Sequence, residues 1–166
     1  MGHPILLSVA SLVDDPTDPE IGILAENMVK TMLDAGGVGL AAPQVYVSSR
    51  IITYYVPKER VQKGENEEGI TVLINPTLKH LGDKTVVGEE GCLSLPGMSG
   101  MVRRHYRIAY KAVNLEGQFV EREVTGYHAR IIQHEFDHLN GILYPMRMDD
   151  LKTFGYRDEI RKVETD

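Results

Sequence analysis

Residues 133–141 read QHEFDHLNG, an H-E-x-x-H arrangement made of His134, Glu135 and His138. On a helix, side chains at i and i+4 share a face with Cβ atoms about 5–6 Å apart, so both imidazoles can converge on one ion. Glu135 falls roughly 100° around the helix from His134, beside such an ion rather than on it, where a general base for water belongs. Two histidines do not complete a catalytic site, which takes three protein ligands and keeps a further position for water.

The chain offers several ways to supply the third ligand. A metzincin continuation would run H-x-x-G-x-x-H from His138; its glycine is present as Gly141, but its last position is Tyr144, and that route fails. A glutamate from a later helix is the second possibility, and Glu159 could serve. The third is the single cysteine, Cys92, within EEGCLSLPG at 89–97. A free cysteine is commonly a small buried hydrophobe. Its thiolate is also a strong soft ligand for zinc or ferrous iron, and Gly91 before it and Pro96-Gly97 after it make the surroundings turn-like.

A second glycine-rich stretch, GGVGLAAPQ at 36–44, contains the G-x-G-x-x-A pattern of dinucleotide sites. That pattern must follow a strand and open a helix. Here it follows a helix, and Pro43 opposes a new helix at Ala42. The expectation is a tight apolar loop whose backbone approaches something closely, ending in the amide donor Gln44.

These residues need elements to hold them. DPEIGILAENMVKTMLDAGG is the clearest helix, with Asp18 as its cap, Pro19 in its first turn, and Ile21, Leu24, Met28 and Met32 at helical spacing. Gly36 and Gly37 stop it. RIITYYV (50–56) and TVLIN (71–75) read as strands separated by the polar QKGENEEG, a solvated excursion. RIAYKAVN and QFVEREVT form a hairpin turning near Glu116-Gly117. A second helix runs from about Tyr127 to Leu139 and ends at Asn140-Gly141; Ile131, Ile132, Phe136 and Leu139 make it apolar around much of its circumference, as in buried helices. Its histidines and acids then need partners, which a metal would supply. A short helix from about Asp149 closes the chain. Strands and helices mix without β-α alternation, so the fold class expected is α+β: mainly antiparallel sheets around a buried helix carrying HExxH.

The 166 residues suffice for one domain spanning 1–166, and 42% hydrophobic with 25% charged residues is an ordinary globular balance. There is no apolar run of the roughly 18 residues a membrane span takes. The start, MGHPILLSVASLVDDP, has no basic n-region, long apolar core or small-residue cleavage site. A net charge of −6 with scattered basic residues gives no nucleic-acid footprint. One cysteine allows no internal disulfide and suits a reducing compartment. Together these point to a cytoplasmic protein or one of an organelle matrix.

GVGLAAPQ, EGCLS and QHEFDHLNG, in this order and at this spacing, together resemble the three signature motifs of the peptide deformylases, and LINPTL before the second motif extends the likeness over nearly the whole chain. The resemblance implies hydrolytic removal of the N-formyl group from nascent polypeptides that begin with formyl-methionine, by a monomer acting at the ribosome. It implies that Cys92, His134 and His138 bind one divalent metal, ferrous iron natively, with zinc, nickel or cobalt in purified protein. It assigns the acid/base role to Glu135, and stabilisation of the oxyanion to the Gln44 amide and the Leu93 N–H. A glycine-lined mouth at Gly39 would admit a formyl group, and Val38, Ile131 and Tyr127 would line the methionine pocket. Relatives often carry an arginine after the cysteine that helps hold peptide; LPGMSG has none before Arg103 and Arg104.

Overall fold

The computed structural model describes residues 1–61 and 66–165. Strands β1 (Gly39–Ala41), β2 (Ile51–Val56), β3 (Glu68–His80), β6 (Arg107–Val113) and β7 (Phe119–Thr125) form a five-stranded sheet in the order β1-β2-β3-β6-β7. Strands β4 (Thr85–Cys92), β5 (Leu95–His105) and β8 (Gly155–Tyr156) form a second, three-stranded sheet in the order β4-β5-β8. Every strand pairing within the two sheets is antiparallel, so the fold is α+β as expected. Among the described residues, no helix is long and apolar enough to cross a membrane.

Helix α1 (Pro19–Asp34) begins where the sequence says it should: the Asp18 carboxylate accepts from the Glu20 N–H at 2.8 Å, and Pro19 stands at the first position. Its Met28 and Met32 are buried against Leu40, Ile51 and Ile74 of the larger sheet. Helix α2 (Gly126–Leu139) carries the H-E-x-x-H motif and is largely buried. Its Ala129, Ile131, Ile132 and Leu139 pack with Ile52, Tyr54, Leu73, Ile108, Tyr110 and Val124 of the larger sheet. The polar residues of α2 fix its position. Gln133 accepts from the His105 N–H at 3.0 Å and donates to the His105 carbonyl at 2.8 Å, tying the helix to the end of β5. His128 reaches the Tyr54 hydroxyl at 3.1 Å, which in turn meets Tyr110 at 3.2 Å.

The hairpin over residues 107–125 and the strand at 51–56 stand as read. The strand TVLIN does not stop at Asn75-Pro76 but runs on to His80, through a register shift between Ile74 and Thr77. Asn75 takes a positive φ of 50° there and uses its side chain to bond both backbone groups of Val13. A bulge is where a strand tolerates proline. QKGENEEG begins in residues 62–65, which lie outside the described ones. The closing helix, expected from about Asp149, is instead α3 (Arg157–Thr165), preceded by the short strand β8. Residues 39–45 form β1 and a short 3-10 turn (Ala42–Val45) rather than a plain loop; a proline fits that turn's second position.

Candidate metal centre

Cys92 ends β4 and the two-residue turn Leu93–Ser94 leads back along β5. The turn is therefore tighter than the sequence suggests, and Gly91 and Pro96-Gly97 lie within strands. It carries the thiol to the face of α2. One ligand atom each from Cys92, His134 and His138 lies within 4.8 Å of the others, and Cys92 Sγ is 3.2 Å from His138 Nε2. Glu159 is elsewhere: its carboxylate pairs with Lys162 at 2.6 Å on the surface of α3. Among the described residues, the third donor beside the two histidines is the cysteine.

The electrostatics prepare these donors. His134 Nδ1 donates to Glu90 at 2.9 Å, which leaves Nε2 for the centre. Cys92 Sγ accepts from the Ser94 N–H at 3.4 Å and from Gln44 Nε2 at 3.5 Å. Gln44 is itself oriented, since its Oε1 accepts from the Ala41 N–H at 2.8 Å and its amide nitrogen is thereby turned toward Cys92 and Ser94. Burial pulls the His138 pKa down to about 3, keeping that ring neutral as a ligand must be. One sulfur and two imidazole nitrogens, gathered at the base of a cavity, suit zinc or ferrous iron.

Glu135 is buried, and burial pushes its pKa up to about 7. Among the described residues its Oε2 has no hydrogen-bond partner, an exception among buried polar atoms that calls for an external partner. The side chain fits because residue 39 is glycine: a Cβ there would run into the Glu135 carboxylate. The cavity has a volume of about 440 Å³, and Val38, Gly39, Gln44, Cys92, Leu93, Tyr127, Ile131, His134 and Glu135 all line it. His138 lies behind this surface, 1% exposed.

Sequence reasoning missed the support behind the ligands. Glu90 accepts from Arg104 Nε and Nη2, both at 2.9 Å, from Arg130 Nη1 at 2.7 Å and from His134. Arg104 continues to Asp137 at 2.5 Å, and Arg147 also binds Asp137, at 2.8 and 3.1 Å. Burial alone would raise the Glu90 carboxyl, but the hydrogen bonds from His134 and Arg104 outweigh it and hold it well below the carboxylate range. The only local hints were the second acid of EEGC and the acid inside HEFDH. Arg103 and Arg104 are not cavity residues either, since Arg104 is buried in this network and Arg103 pairs with Asp149 at 2.8 Å.

Three donors converging at an H-E-x-x-H helix, with a buried carboxylate and an oriented amide beside them, fit the pattern of a metal-dependent hydrolase site. The sequence pattern of the family described as polypeptide deformylase matches residues 1–154. Peptide deformylase 1 of Nitrosomonas europaea is 46% identical over 165 residues, covering 99% of this chain and 94% of that one. Peptide deformylase 1 of Bordetella pertussis is 43% identical over 158 residues, covering 95% and 90%. Among solved structures, the class I type b peptide deformylase of Acinetobacter baumannii bound to Met-Ala-Ser superposes with a TM-score of 0.82 at 40% identity, covering 89% of this chain and 94% of that one. The Thermotoga maritima peptide deformylase gives 0.80 at 39% identity, covering 90% and 95%. This chain belongs to the polypeptide deformylase family. It is an enzyme of protein biosynthesis, a hydrolase that removes the N-formyl group from nascent polypeptides.

Proposed function

We propose that residues 1–166 form one metallohydrolase domain in which Cys92, His134 and His138 hold a single divalent cation, ferrous iron natively and zinc, nickel or cobalt in purified protein. The observation that carries this reading is the convergence of one sulfur and two imidazole donors within 4.8 Å of one another beside Glu135. When bound, such a cation supplies Lewis acidity toward a carbonyl oxygen and toward water. The remaining work falls to the chain. Glu135 takes the proton of the attacking water and returns it to the amine that leaves, so formate and a peptide with a free amino terminus are released. The Gln44 amide and the Leu93 N–H donate to the oxygen that becomes negative. Gly39 leaves room at the carbon for hydrogen and little else. Val38, Tyr127 and Ile131 take the methionine side chain, whose flexible thioether suits an apolar, irregular pocket.

The substrates are N-formylmethionyl nascent peptides, met at the ribosome by a monomer in the cytoplasm or an organelle matrix, and no nucleic-acid site is part of this reading. The bacterial relatives favour the cytoplasm. The test is formate release from formyl-Met-Ala-Ser by protein of measured metal content, reconstituted without oxygen. The expected result is fast release with one ferrous or nickel ion per chain and slower release with zinc. No release at one-to-one loading with any of these metals would overturn the reading.

A further inference from the structure

Among the described residues, Arg157 makes no hydrogen bond although its side chain lies in the wall of the cavity that holds the metal centre. It is the first residue of α3 and follows β8, whose Gly155 pairs with Ser99 of β5, which pairs in turn with Gly91 of β4. That row of three strands brings the guanidinium against the Gly91 backbone. A Cβ at position 91 would meet Arg157 Nη2, so the glycine leaves the guanidinium room to lie against the backbone there. The nearest acid is Glu89 at 3.8 Å, with the two side chains 42% and 43% exposed. Such a long, solvated pair holds an arginine weakly.

Of the other arginines in the cavity wall, Arg60 lies over the Tyr127 ring, 5.8 Å from its centroid, beside the residues proposed for the methionine side chain. Arg130 also lines the cavity, but its nitrogens are occupied by the carbonyls of Val86, Gly88 and Val102 and by Glu90. Those bonds close the outer edge of β4 as far as Gly88. Beyond it, at Gly91, the edge strand of the small sheet faces β1, the edge strand of the large sheet, across the cavity. Edge strands present unpaired backbone groups, and an extended peptide can lie along them. Gly91 and Pro96 line the same cavity as Glu135 and Ile131, so a peptide with its formyl group at Glu135 and its methionine side chain toward Ile131 can leave past them. Its carbonyls there lose water and need donors. A guanidinium offers five N–H groups in a rigid fork.

We propose that Arg157 is a substrate-binding residue of this enzyme, donating to the main-chain carbonyls of the residues that follow formyl-methionine. The proposal rests on the deformylase reading and adds a determinant that none of the three motifs contains. It is tested with full-length, metal-loaded protein carrying Arg157→Gln or Arg157→Lys. Values of kcat and KM are measured on formyl-Met-Ala-Ser and on formyl-methioninamide, and the Kd of Met-Ala-Ser is measured by calorimetry. Loss of one charge-assisted hydrogen bond predicts that Arg157→Gln raises KM for the tripeptide, and Kd for its product, about tenfold. Its kcat stays within about twofold, the effect on formyl-methioninamide is much smaller, and Arg157→Lys falls between. Unchanged KM and Kd would overturn the proposal, and so would an equal loss on both substrates, which is what a merely structural role produces. Failure of the unmutated chain to release formate overturns the deformylase reading and this proposal with it.

Discussion

Replacing Glu90 by Gln keeps the shape of the side chain and removes its charge, which isolates the support behind His134. In the native protein four bonds converge on the carboxylate: Arg104 Nε and Arg130 Nη1 on Oε1, Arg104 Nη2 and His134 Nδ1 on Oε2. An amide has one accepting atom. If its oxygen faces the Oε1 side, its NH2 meets the N–H groups of Arg104 and His134; if it faces the other side, it opposes Arg104 and Arg130. Either orientation loses two bonds to charged groups, each worth about 1.5–3 kcal/mol, and leaves buried donors facing donors. The sum, about 3–6 kcal/mol, agrees with the roughly 3–5 kcal/mol measured when one partner of a buried ion pair is removed. Against a total stability of about 5–15 kcal/mol for a domain, that is a large fraction.

Urea unfolding of metal-loaded protein measures the loss. At a slope of about 1–3 kcal/mol per molar, the midpoint should fall by roughly 2 M. Metal affinity should fall about 10–100-fold, because the His134 ring loses the acceptor that fixes its tautomer and orientation. Adding Arg104→Met to Glu90→Gln should cost less than the two single losses combined by at least about 1 kcal/mol, since neighbours in one network do not act independently. A Glu90→Gln protein within about 1 kcal/mol of the native one, with unchanged metal affinity, would refute the assignment of Glu90 as the residue that positions His134.

Three further outcomes follow from the same geometry. Glu135→Gln should lower turnover of formyl-Met-Ala-Ser by about 10²–10⁴-fold while elemental analysis still finds one metal per chain, because the residue stands beside the donors and not among them; near-normal turnover in the metallated variant contradicts the role. After dialysis, Cys92→Ala should lose metal and activity together and Glu159→Ala neither, and the reverse pattern would transfer the third-ligand role to α3. His128, 7% exposed, is held neutral by burial, which takes its pKa from 6.5 to about 4. The unfolded chain binds that proton first, so its contribution is intact above pH 6.5 and is lost as pH falls toward 4, up to about 3 kcal/mol. Unfolding free energies at pH 7, 6 and 5 should therefore fall less steeply for His128→Gln than for the native chain, and parallel slopes would show that His128 does not carry the effect.

What the sequence revealed and what it hid divide by distance along the chain. His134, Glu135 and His138 are legible because a helix repeats locally, and α1 is legible because Asp18 and Pro19 start it within one turn. Cys92 could not be chosen over Glu159 from residue types and spacing alone; the choice depends on a turn at Leu93–Ser94 that carries β4 onto α2, and the three-motif resemblance pointed there first. β4 itself went unread. It is an edge strand, Val86 and Val87 are both exposed, and no alternation marks it. β3 was cut short because Asn75-Pro76 reads as a stop, whereas Val13, far away in sequence, supplies the partners that make it a bulge. The polar groups of α2 show the same limit from the other side. Their burial was a sound reason to demand partners, and a metal at the proposed centre would answer for His134 and His138. It does not answer for Asp137, which is satisfied by Arg104 and Arg147. Such a buried acid announces that it must be paired but not by what, because an arginine serves it as well from any strand the fold brings near. The same reasoning applies to Glu90, Arg130 and Arg157. Each takes its meaning from a strand or helix edge that exists only once the two sheets have closed around α2.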